Sequence, residues 1–454
     1  MPSEDSSRGD AGTRLNSKAV ATPQREHLEG MRIFWLLSLL LVLPVTAQAQ
    51  QVFPEHITTE QAVREALEKN LGLLAERYNL SIADARIITA RLRPNPVFSF
   101  GADYLDWVGA KFSPTMNLGP SEVNFRTDFV FERGGKRQRR IEVAENARAM
   151  AQLQFLDATR TLMLDVQEAC VEVLLAKESL LLAQENMKAF DGIVSVNSAR
   201  VSAGDLAKVE LVRSQVAALQ FQNAVLQAEA RLRIARNRLQ ALLGRLTPSP
   251  SFDVVDELRR ETQSWQLEEL RQQALELRPD LQALVKDQAR SVADLRLQQA
   301  QGKVDYTVGA QIHRQYGEAL SNPGNSLGIF FSLPLPVFNR NQGEIERARQ
   351  EQQQIESKIK ALQVSIKNEI DNAYLQYLAA RDLLSRIERD MLQQAREVRQ
   401  TPEYSYRLGE ASFVELLDAQ RAFNDTMQSY NEARAEFARS LYLIDSISGK
   451  AVHQ

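Results

Sequence analysis

The 454-residue chain is nearly without cysteine and histidine. Its one cysteine, Cys170, excludes an internal disulfide framework and any Cys-based zinc site within the chain. Four histidines, His27, His56, His313 and His453, are widely scattered, and no pair has metal-ligand spacing, so no metal site is expected. A phosphate-cradling glycine loop, a nucleophile elbow and a His/Cys/carboxylate cluster are all missing, which argues against an enzyme and against a cofactor. Neither sign of charge dominates: 55 basic residues face 58 acidic ones, a net −3 that disfavours a nucleic-acid partner. Proline and glycine are modest at 15 and 20, which excludes a low-complexity chain. No apolar run of 18 residues follows Gln50, so any membrane crossing by the mature chain must use strands.

What is present begins with a secretory signal. Residues Met31 to Ala49 combine a basic start at Arg32, an apolar run from Ile33 to Val45 and an Ala-x-Ala ending at Ala47 and Ala49. Cleavage is expected before Gln50, and translation is expected to start at Met31. Residues 1–49 are therefore leader and signal peptide.

The rest repeats itself. Ala66-Leu67-Glu68 returns 208 residues later as Ala274-Leu275-Glu276, Ala83-Asp84 returns 210 later as Ala293-Asp294, and Gly101-Ala102 returns 208 later as Gly309-Ala310. Gly204, Glu210-Leu211 and Gln215 return as Gly409, Glu415-Leu416 and Gln420, each 205 residues on, and Gly244 returns as Gly449. Matches in this order imply two duplicated halves, over 50–245 and 265–449, joined by a linker at 246–264. Each half reads as a helix (58–92; 266–302), two strands (96–107 and 121–131; 304–315 and 326–335), a very long helix (136–190; 343–400) and a shorter helix after a glycine turn (205–243; 410–447). Thr58 or Thr59 can cap the first helix.

In the long helices, apolar or small residues run from Ala144 to Met187 and from Ile355 through Met391 to Val398 at about 3.58 residues per turn. That value lies between the periods that supercoil a helix to either hand, so nearly straight helices are expected, able to stand around a bore. The strands alternate: Val123, Phe125, Thr127, Phe129 and Phe131 oppose Asn124, Arg126, Asp128 and Val130. Phe98, Phe100, Ala102 and Tyr104 share a face in the same way, as do Val304, Tyr306, Val308, Ala310 and Ile312. This is the signature of transmembrane barrel strands, with Tyr104, Trp107 and Tyr316 as interfacial aromatics. Four strands cannot enclose a pore, so three copies are needed. A periplasmic coiled-coil structural protein that never enters a membrane is the alternative from a different class.

With these features the chain resembles the TolC-like outer membrane efflux proteins over about residues 52–449. The resemblance rests on the duplicated plan, Arg93-Pro94-Asn95-Pro96 before the first strand, Leu333-Pro334-Leu335-Pro336-Val337-Phe338 after the fourth, and the Gly409…Val414-Glu415-Leu416-Leu417-Asp418-Ala419 turn and helix. Gly134-Gly135-Lys136-Arg137 and Phe338-Asn339-Arg340-Asn341-Gln342-Gly343 look most like the branch that serves heavy-metal pumps of the resistance-nodulation-division type. The resemblance implies a mainly α protomer that gives four strands to a 12-stranded barrel in a homotrimer. Its helices form a periplasmic tunnel, and its partners are a periplasmic adaptor, an inner-membrane pump and outer-membrane lipid. It implies a passive conduit, for metal cations or alternatively for drugs or secreted protein. The gate is expected at the helical tips, where Glu415 and Asp418 lie on one helix face and Glu210 matches in the first half. In a trimer each acid becomes a ring of three that favours cations and raises its own pKa values. Read by themselves these acids are equally solvated helix positions. Where some relatives carry a basic residue after the turn glycine this chain has Ala411, which leaves Tyr406 or Arg407 to close the gate. Gly204, Asp205, Leu206, Leu408, Gly409, Glu410 and Ser412 are the expected adaptor contacts.

Overall fold

The computed structural model describes residues 55–105, 121–261, 264–316 and 324–450. Contacts divide the chain into two units, Met1–Phe53 and Pro54–Gln454, and every described residue belongs to the second. The expected signal peptide, Trp107, His27 and His453 lie outside the described residues.

The order of elements is the same in the two halves except that a π-helical turn divides the second long helix. The first runs β1 (His56–Ile57), α1 (Thr59–Lys69), α2 (Leu71–Arg91), β2 (Val97–Asp103), β3 (Ser121–Phe131), α3 (Lys136–Ala203) and α4 (Lys208–Leu242). The second runs β4 (Asp253–Val254), α5 (Leu267–Leu277), α6 (Pro279–Gln301), β5 (Tyr306–Tyr316), β6 (Asn325–Ser332), α7 (Gln342–Arg386), a π-helical turn (Ile387–Met391), α8 (Leu392–Leu408) and α9 (Phe413–Ile447).

The single helices expected over 58–92 and 266–302 are each two helices. Thr58 caps the first with a reciprocal box, its hydroxyl accepting from Gln61 N while the Gln61 side chain accepts from Thr58 N. The chain then turns extended at Asn70, whose side chain accepts from Leu73 N and restarts the helix. In the second half the extended residue is Arg278, and Pro279 restarts the helix at a position whose N–H would be unpaired anyway. Each break receives a closing glycine. Gly244, at φ +75°, lies against the backbone of Lys69 and Asn70, and Gly449, at φ +78°, against Leu277 and Arg278.

The 68 residues of α3 reach about 100 Å at the α-helical rise. This helix passes the expected end at 190 and stops only at Gly204, which adopts φ +85°. It packs along α1, α2, α4, α6 and α9. Of its expected stripe, none of the positions from Ala144 to Met187 is exposed. The second long helix departs from expectation. Its stripe is buried from Ile355 to Ile387 apart from the half-buried Leu362, but Met391 and Val398 are exposed while Ala395 is buried. The π turn inserts one residue and rotates everything after it, so Leu392 takes the place expected for Met391.

The described part of the expected linker packs against the core. Within 246–264, β4 pairs parallel with β1, and Phe252 and Val254 are fully buried beside Val166 and Leu239. Lys177 and Arg236 clamp Asp253 at 2.7 and 3.0 Å. Burial alone would raise this carboxyl, but the two cations outweigh it and hold the carboxyl below its ordinary value.

Candidate functional site

Two regions carry chemistry. The first is a four-stranded antiparallel sheet in the order β2-β3-β5-β6. Residues before prolines avoid the helical region, so Pro94 and Pro96 stop α2 and start β2, and Pro334 and Pro336 end β6. The register aligns Phe100, Phe125, Ile312 and Leu327 across all four strands, and Phe98, Thr127, Ala310 and Ile329 two residues away. Phe98, Phe100, Phe125, Phe129, Ile312, Ile329 and Phe331 on this face are all exposed. The opposite face is polar. Glu122 accepts from Gln315 at 2.6 Å and meets His313 at 2.9 Å, and Arg126 pairs with Asp128 at 2.9 Å while lying 4.6 Å from the Phe330 ring. Alternation has thus sorted an apolar face from a polar one. At 11 residues each, β3 and β5 match the length a tilted transmembrane strand needs. No described helix is long and apolar enough to cross a membrane. Below the sheet, Lys136 pairs with Asp305 at 2.7 Å and Arg140 with Glu132 at 2.5 Å, tying strand ends to α3.

The second region is the pair of helical tips. Gly204 and Gly409 end α3 and α8 with the same geometry. Gly204 N–H donates to Val201 O and Asp205 N–H to Arg200 O, just as Gly409 donates to Tyr406 O and Glu410 to Ser405 O. Both turns need φ near +85°, which glycine alone reaches without strain. The tips lie together, since a side chain at Gly409 would meet Arg200 Nη2 at 3.3 Å. Phe190, Ile193, Ala217, Ala218, Phe413 and Leu416 form the core between them, and Tyr406 completes it.

The structure distributes the expected gate residues unevenly. Asp418 is exposed on α9, with no acid or base paired to it among the described residues. Glu415 has a local task. Its carboxylate accepts from Ser412 N–H at 2.7 Å and the Ser412 hydroxyl at 3.0 Å, closing a capping box at the start of α9. Within one protomer those two bonds hold Glu415 below its ordinary carboxylate value. Glu210 pairs with Arg213 at 2.7 Å in the first turn of α4. Arg407 pairs with Glu403 at 2.7 Å on its own helix. Tyr406 is buried, its hydroxyl donating to Asn197 Oδ1 at 2.8 Å, and burial pushes the phenol above its ordinary value. Of the expected adaptor contacts, Gly204, Asp205, Leu408, Gly409, Glu410 and Ser412 are exposed and Leu206 is half-buried.

Sequence reasoning missed Asn197, whose Nδ2 is buried without a partner, and a ladder in which Gln420 donates to Asn186 and Asn186 to Asn424. The signal was present: Asn186, Phe190, Ile193 and Asn197 continue the buried lane of α3 at helical spacing, but as amides they look like surface residues. Among the described residues, no group of three or more His, Cys, Asp or Glu could hold a metal ion.

Comparison with known proteins follows the same architecture. A family model described as outer membrane efflux protein matches residues 62–245 and 270–450. The cobalt-zinc-cadmium resistance protein CzcC of Cupriavidus metallidurans is 26% identical over 412 residues, 88% of this chain and 92% of that protein. The solved outer-membrane channel OprN superimposes with a TM-score of 0.70 at 18% identity, covering 87% of this chain and 91% of that one. The outer membrane protein VceC of Vibrio cholerae gives 0.69 at 17% identity, covering 86% and 96%.

Proposed function

The chain belongs to the outer membrane efflux protein family, whose members are conduits and not enzymes, and from that premise we propose that three copies form one export channel through the outer membrane and periplasm. The observation that carries this reading is the two-faced sheet. Its apolar face is exposed and nothing described covers it, while its two outer strands, β2 and β6, have unpaired edges. In hydrocarbon, unpaired backbone is costly, so such a sheet must close on further strands. Strands β2 and β6 run in opposite directions, so copies can join edge to edge and keep the antiparallel alternation. Three copies of four strands give the 12-stranded barrel, with the polar face turned to the lumen. The long helices continue the wall as the periplasmic tunnel.

The tips are then the inner mouth and the place where a periplasmic adaptor and an inner-membrane pump attach. The exposed residues around Gly204 and Gly409 provide the contact. Asp418 is the gate acid with most freedom to face the bore. Glu210 and Glu415 contribute field from positions fixed by Arg213 and Ser412, Arg407 lines the mouth, and Tyr406 holds the two tips together from inside. The cargo reading is heavy-metal cations moved by a resistance-nodulation-division pump, supported by the likeness to CzcC.

Purified protein in a planar bilayer is expected to give discrete conductance steps and to need detergent for extraction. A protein that stays soluble without detergent and gives no conductance would refute the channel and favour the coiled-coil alternative. Deleting the gene is expected to lower zinc, cobalt or cadmium tolerance. Unchanged metal tolerance with raised dye or antibiotic sensitivity would refute the metal cargo and leave the channel standing.

A further inference from the structure

Where the sheet meets α3, a recess of about 650 Å³ opens between the lead-in to β2, the end of β3 and the start of α3. Its walls differ in character. One side carries Phe129, Phe131 and Tyr306, the last apolar residues of the exposed sheet face before the helices begin. The other side carries Arg93, Arg133 and Arg137, all exposed. The neighbouring cations are neutralised, Lys136 by Asp305 and Arg140 by Glu132. The three guanidinium groups in the recess have no carboxylate partner among the described residues, and Arg137 donates only to the Arg91 carbonyl, at 2.6 Å. Arg93, Arg133 and Arg137 therefore bring three exposed guanidinium groups to one recess, an arrangement that suits an external anion. A neutral aqueous counter-ion atmosphere would not explain why they border an apolar face.

We infer that this recess binds an anionic phospholipid, its headgroup phosphate held by Arg93, Arg133 and Arg137 and its acyl chains lying along Phe129 and Phe131. The inference rests on the reading of the sheet as membrane-spanning. It adds that the rim of the barrel nearest the helices selects lipid by charge, which fixes the depth of the protein in the bilayer. Guanidinium groups suit a phosphate because they donate in pairs, and aromatic side chains favour the same interfacial depth. Each basic residue near an anionic surface contributes about fivefold in binding, so the three together are worth on the order of 100-fold.

The test is native mass spectrometry of the full-length detergent-purified protein titrated with phosphatidylglycerol, with zwitterionic phosphatidylcholine and with inorganic phosphate. The wild type is expected to retain phosphatidylglycerol, and the variant R93Q/R133Q/R137Q to lose affinity by about 100-fold. Lys358→Gln, which removes an exposed cation from α7, is expected to leave binding unchanged. The single variants Arg133→Gln and Arg133→Lys keep the test readable if the triple variant does not assemble: the first is expected to weaken binding and the second to restore it. Equal retention by wild type and variants, or equal retention of phosphatidylcholine, overturns the site. Inorganic phosphate displacing the lipid at equal concentration overturns the lipid as its occupant. Because conductance is measured separately, a failed lipid site beside normal conductance refutes this inference alone.

Discussion

Ser412 and Glu415 satisfy each other's polar groups at the head of α9, and this separates two acids that look equivalent by spacing. A serine N-cap is worth about 1 kcal/mol, so Ser412→Ala is expected to loosen the first turn of α9 by that amount. Glu415→Gln keeps the box, since glutamine can accept the same bonds at that position. Asp418→Asn touches no such bond and is expected to leave stability unchanged while lowering cation selectivity, read as a shift in reversal potential. A selectivity loss for Glu415→Gln and none for Asp418→Asn would reverse the assignment. The pH dependence has a definite sign. Hydrogen bonds from Ser412 depress the carboxyl of folded Glu415, so the bonus it gives the helix is present above the ordinary value of 4.5 and is lost as pH falls through the depressed one. Protection of the 413–417 amides from exchange, corrected for the intrinsic pH dependence of the exchange rate, is therefore expected to fall only in acid, and Glu415→Gln is expected to abolish that dependence.

At the level of elements, the glycines divide into two kinds that share a backbone shape and differ in surroundings. Gly204 and Gly244 both sit near φ +80°, but a side chain at Gly204 meets open space and one at Gly244 drives into the Lys69 carbonyl. Gly204→Ala is expected to cost only the left-handed strain, about 1–2 kcal/mol. Gly244→Ala adds a backbone collision and is expected to cost about 1–3 kcal/mol more, seen as a lower thermal midpoint. Equal midpoints would show that the seat at Lys69 is not tight. Sequence periodicity made much of this level legible. Alternation located all four strands, because one apolar face in two residues is a strong local pattern, and glycine turns located both tips. Three features escaped it. The break at Asn70 was hidden because helical residues flank it on both sides. The π turn at Ile387–Met391 leaves apolar spacing intact on paper, since Met391 and Leu392 are both apolar and either can continue the stripe. Phe252 and Val254 bury themselves by pairing β4 with β1, a contact about 200 residues apart that no local window can read. At the tips the acids were legible as types and spacings, while Ser412 beside Glu415, Arg213 beside Glu210 and Asn197 beside Tyr406 depended on geometry.

For the whole molecule, the decisive quantity is what the sheet edges do. Strands β2 and β6 each leave a row of backbone groups without a partner within the protomer. The proposed closure by three copies would bring β2 of one protomer beside β6 of the next, with Phe98 and Phe100 on the same face as Leu327, Ile329 and Phe331. Neighbouring antiparallel residues have Cα atoms about 4.5–5.5 Å apart, inside the range a disulfide spans. The chain suits this test unusually well. Cys170 is fully buried in the core around α3, and burial pushes its thiol up to about 12, so it stays a thiol and does not compete. Pairing Phe98→Cys with each of Leu327→Cys, Ile329→Cys and Phe331→Cys covers the stagger that strand tilt introduces. One of the three pairs is expected to give a covalent trimer on oxidation in membranes, with neither single variant cross-linking beyond a dimer. Failure of all three, beside intact conductance, would mean that these edges are closed by something other than a second copy of the chain.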